Sequence, residues 1–136
     1  MAQANLVILV GVLLLVIFSI FLERKRKMIW HGNSMLLVVI ITGLLVIAHM
    51  GSSLFSVIGE SIRGFDVVAI SGLIHSVVGI VAVVLGVWLV GAWAYIRSSD
   101  TAYCAKNKKL MQKILVLWVL ALGLGALYYV LHISLG

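Results

Sequence analysis

Four side chains in this sequence set a nitrogen lone pair inside apolar surroundings: His31, His49, His75 and His132. A neutral imidazole can ligate a metal, exchange a proton near neutral pH, or hydrogen-bond a buried partner. Little else in the chain competes with that chemistry. Cys104 is the single cysteine, so an internal disulfide and a CxxC centre are excluded, and it reads as a reduced thiol in a loop. Glu23, Glu60, Asp66 and Asp100 fall in loops or at helix ends, where capping and charge balance account for them. Ser34, Thr42, Ser71 and Ser76 lack a triad setting and suit hydrogen bonds to carbonyls or to an imidazole. A P-loop, a dinucleotide fingerprint and an HExxH motif are all missing from the sequence.

The elements that must position the histidines follow from composition. Of 136 residues, 64% are hydrophobic, 10% are charged and none is proline. A water-soluble domain of this size needs far more polar surface. Long unbroken apolar runs give an all-α integral membrane protein, a four-helix up-down bundle forming a single domain over residues 1–136. The helices are expected at about 5–22, 30–50, 66–96 and 109–135. The first lacks a basic start and an A-x-A pattern, so it is kept as a span rather than a signal peptide.

The formal charge of +6 is confined to two segments. Arg24, Lys25, Arg26 and Lys27 separate the first two helices, and Arg97, Lys106, Lys108, Lys109 and Lys113 flank the gap between the last two. This placement reads as topology and not as a nucleic-acid surface. The remaining loop carries Arg63 alone, offset by Glu60 and Asp66. The positive-inside rule then puts the basic loops in the cytoplasm and both termini outside.

Depth can be counted from the basic loops at about 1.5 Å per residue. His49 lies 22 residues after Lys27, His75 lies 22 before Arg97, and His132 lies 23 after Lys109. Three helices thus place an imidazole at one expected level, about 33 Å from the charges and near the outer edge of the hydrocarbon. His31 belongs to the cytoplasmic end, on the same stripe of its helix as His49, 18 residues earlier. Gly72, Gly79 and Gly86 recur every seven residues beside His75, and Met111, Trp118, Gly125 and His132 do so in the last helix. Such glycines let a helix or a flat macrocycle approach closely. A single interfacial histidine is usually structural, but intramembrane imidazoles are costly and tend to mark sites.

Two ligand classes suit inward imidazoles: haem b, which takes two axial nitrogens and small residues beside its plane, and copper or zinc, which needs three or four converging donors. The spans hold no carboxylate or thiolate to complete a charged metal site, which favours haem b, with His49 and His132 as the first axial pair and His75 as a rival partner. Gly72, Gly79 and Gly125 would line the ring. At the cytoplasmic end Met111 could complete a His/Met site with His31, or His31 could hydrogen-bond a haem propionate or a quinone.

HGNSM after a basic loop, IAHM closing that helix, LIHSVVG in the next, and KNKKLMQKILVLW opening the last resemble small four-helix membrane proteins associated with assembly of haem-copper oxidases. The layout is also similar to small transmembrane b-type cytochromes. The resemblance runs from about Arg24 to the C-terminus. It implies a respiratory role in a prokaryotic plasma membrane and haem or copper bound by histidines, carried over here as His31, His49 and His75. Where that family often has a further histidine, this chain has Asn107. The expected function is that of a membrane haem b protein passing electrons to a redox partner, the quinone pool or a larger respiratory complex, a carrier rather than a stand-alone enzyme. Its alternatives are an assembly factor handling copper or haem, and a non-redox structural subunit.

Overall fold

The computed structural model describes residues 2–63, 66–96 and 102–135. They form α1 (Ala2–Arg24), α2 (Met28–Leu45), a π-helical turn (Val46–Met50), α3 (Gly51–Arg63), α4 (Val67–Ile96) and α5 (Ala102–Leu135). Without proline no helix is broken from within. Four stretches are long and apolar enough to cross a membrane: Leu6–Arg24, Met28–Met50, Val67–Ile96 and Ala102–Leu135.

α1 ends in a tight hydrogen-bonded cap. Lys27 N donates to Leu22 O at 3.0 Å and Arg26 N to Glu23 O at 2.9 Å, with Arg26 in the left-handed region at φ 56°. This is the double-bonded helix ending in which glycine is the usual occupant of the left-handed position.

α1 packs on α2, α2 on α4, and α4 on both α3 and α5. The small core consists of Val12, Val16 and Val38, with Leu15, Ile20, Ile41, Leu115 and Trp118 packed around it. Large apolar side chains instead cover the outside, among them Val7, Leu14, Ile47, Trp88 and Ile133. That inversion suits a lipid surround, where apolar surface carries no hydration penalty.

Two boundaries differ from the sequence reading. Residues 51–63, expected as a loop, form α3, because Leu54, Phe55, Ile58 and Ile62 recur at helical spacing behind the serines. The last helix starts at Ala102 instead of Lys109. Lysine is a good helix former, so a basic stretch marks where hydrocarbon ends and not where a helix must.

Candidate ligand cavity

His31 stands in the first turn of α2, opposite Ser19 of α1. Ser19 is fully buried and His31 is 7% exposed. His31 Nδ1 lies 2.8 Å from Ser19 O and 2.8 Å from Ser19 Oγ. A carbonyl can only accept, so Nδ1 carries the hydrogen and Nε2 the lone pair. The Ser19 hydroxyl in turn donates to His31 O at 3.2 Å.

His31 belongs to the wall of a cavity of about 430 Å³ between α1, α2, α4 and α5. Among the described residues no buried side-chain nitrogen or oxygen lacks a partner, and Nδ1 alone supplies the imidazole's hydrogen bonds. The edge bearing Nε2 is therefore the open one. Met35, Met111 and Cys104 line the same space, as do Trp93 and Trp118. Glu23 and Arg24 of α1 and Lys108 and Gln112 of α5 form its charged and polar rim.

Local sequence explains the walls. Gly32 follows His31, and a Cβ there would overlap the indole of Trp93, so the glycine lets Trp93 lie against the α2 backbone beside the imidazole. Tyr103 Oη donates to Leu89 O at 2.8 Å, fastening the start of α5 to α4. Asn107 is not part of the wall. Its side chain donates to Tyr103 O of its own helix at 3.0 Å.

The other histidines are dispersed. Gly32 meets Trp93 and Val39 meets Gly86, seven residues forward on α2 for seven back on α4. The expected common level joins His49, His75 and His132. It does not hold for His132. His75 Nδ1 donates to Ala121 O at 2.8 Å, and its ring lies against Gly125, where a Cβ would sit 2.8 Å from Cε1. His132 lies seven residues past Gly125, about 10 Å further along α5, and stacks on Tyr128 with 5.9 Å between ring centroids. The count from Lys109 began two turns inside α5, whose first residue is Ala102. Arg97, from which His75 was counted, and Asp100 lie outside the described residues, as does the side chain of Glu60.

Imidazole convergence on one ion is not found: among the described residues no three or more His, Cys, Asp or Glu side chains are placed to hold a metal. His49 is exposed in the π turn. Of the glycines expected beside a ring, Gly125 accommodates His75 itself, Gly79 faces open space, and Gly72 is buried in α4. Sequence reasoning found His31 and Met111 but not Ser19, Met35, Trp93, Tyr103 or Cys104 as their neighbours. The one available signal was the Ser19 hydroxyl inside an apolar run, which needs a partner from another helix. No known protein family, curated protein or solved structure matches the chain.

Proposed function

We propose that the chain is a multi-pass membrane protein that binds haem b in the cavity beside His31 and serves respiratory electron transfer. In this reading it is an up-down bundle in a prokaryotic plasma membrane, with both termini outside and the His31 end on the cytoplasmic side. The carrying observation is His31, nine-tenths buried, with Nδ1 held on Ser19 O, its Nε2 without a hydrogen bond, and the residue in the wall of a 430 Å³ cavity. Metal-bound histidines are oriented in this way, the remote nitrogen fixed by a carbonyl so that the other keeps its lone pair.

The donor set fits the group. His31 with Met111 or Met35 would hold the iron, Trp93 and Trp118 would supply apolar contact to the macrocycle, and Arg24 and Lys108 would meet its carboxylates. The volume lies within the range of cofactor pockets. When bound, haem supplies one-electron chemistry whose potential follows from the axial ligands. In this reading the ligand lies at the opposite end of the helices from His49, His75 and His132.

A copper-handling role is the second reading, favoured by one observation: an imidazole, two thioethers and a thiol line one cavity, and soft donors of this kind select copper(I). Reduced-minus-oxidised spectra and metal content of purified protein separate the two. Haem bands lost in His31→Ala and kept in His49→Ala, His75→Ala and His132→Ala are the expected result. Haem content unchanged by His31→Ala would overturn the assignment, and stoichiometric copper without haem would establish the second reading.

A further inference from the structure

The contacts between spans form an open series from α1 through α2 and α4 to α5. Its two ends, α1 and α5, come together where Leu115 and Trp118 reach the Val12, Val16 and Val38 cluster. From there toward the basic end, the cavity wall is a seam with Ile20, Glu23 and Arg24 on α1 and Lys108, Met111 and Gln112 on α5. The outward flanks of this seam are apolar and exposed: Ile17 and Phe21 on α1, Val116 and Val119 on α5. Arg24, Lys108 and Gln112 are exposed one or two turns nearer the helix ends, and Glu23 is half-buried.

A cavity walled by both end helices, with exposed apolar side chains beside the seam and Arg24 and Lys108 in its lining, matches a flat amphiphile with an anionic edge. We infer that the cavity takes its ligand sideways from the bilayer, through the α1–α5 seam, and grips the ligand's carboxylates with Arg24 and Lys108. The inference rests on the haem reading for the identity of the ligand, while the route stands on the seam itself.

The full chain in phosphatidylcholine vesicles tests the route, with Cys104, the single cysteine and a wall residue of the cavity, as reporter. A lipid-soluble maleimide is expected to label Cys104 at least about tenfold faster than a sulfonated one presented on both sides, and added haem to protect it. Equal rates, or labelling by neither reagent, would overturn the lateral route. Absorbance titrations test the grip with haem and with haem dimethyl ester, whose carboxylates are capped. Arg24→Gln and Lys108→Gln are each expected to weaken haem by about tenfold, the scale of one charge-assisted contact, and to leave the ester unchanged. Equal effects on both ligands, or none, would refute the grip and leave the His31 ligation standing. A wild-type protein that binds neither porphyrin would instead remove the haem reading, with the labelling result still deciding the route. Titration in vesicles containing phosphatidylglycerol distinguishes a lipid phosphate at the rim, which would compete with haem there.

Discussion

Gly32→Ala is the sharpest single perturbation of the cavity, because its effect has a sign that helix propensity alone would reverse. An exposed Gly to Ala exchange inside a helix stabilises by about 1 kcal/mol. At Gly79 a new Cβ meets nothing within 4 Å, so Gly79→Ala should show that gain. At Gly32 the Cβ falls within the indole of Trp93. Trp93 is 5% exposed and cannot swing aside freely. Overpacking of this kind costs about 1–3 kcal/mol, so Gly32→Ala should fall about 1–3 kcal/mol below Gly79→Ala after both receive the same helical gain. Gly125→Ala, whose Cβ would press on the edge of the half-buried His75 ring, should fall between them. SDS-titration unfolding in mixed micelles, followed by tryptophan fluorescence, reads all three. Because Trp93 also walls the cavity, Gly32→Ala should in addition weaken porphyrin binding, while Gly79→Ala should not. Equal stability of Gly32→Ala and Gly79→Ala would mean that Trp93 does not lie on the α2 backbone, and the cavity geometry would fall with it.

Ser19→Ala removes the Oγ contact with His31 but keeps the carbonyl that holds Nδ1. It should cost about 1 kcal/mol in the same unfolding assay and leave haem content intact; loss of haem would show that the hydroxyl and not the carbonyl orients the ring. Arg26→Gly relieves a left-handed residue in the α1–α2 turn and should raise stability by about 1 kcal/mol, checked by the same titration. A destabilised Arg26→Gly would mean that the arginine side chain contributes more than the strain it carries. Tyr103→Phe should lose about 1 kcal/mol through the missing bond to Leu89 O, and an unchanged midpoint would show that α5 needs no such fastening.

The spans were legible because an apolar run of about 20 residues has few alternatives in a chain with no proline. Depth was legible only where the counting origin was sound. His132 lies beyond the level of His75 because the lysines of α5 are spread from Lys106 to Lys113 and give no single origin. α3 stayed hidden because its serines look like a loop until the spacing of Phe55, Ile58 and Ile62 is read with period 3.6. The cavity could not be read at all beyond His31 and Met111. Trp93 and Cys104 join it through inter-helix register, which apolar sequences specify by shape and not by any local pattern.

Both imidazoles with an assigned donor, His31 and His75, give their Nδ1 hydrogen to a main-chain oxygen, Ser19 O and Ala121 O. A side-chain partner could be deleted by one substitution, but every residue type supplies a carbonyl. The tautomer at both positions is thereby a property of how the helices run past each other. Sequence drift at positions 19 and 121 can change packing around the rings without changing which nitrogen is offered, and only a shift of one helix along its neighbour would do that.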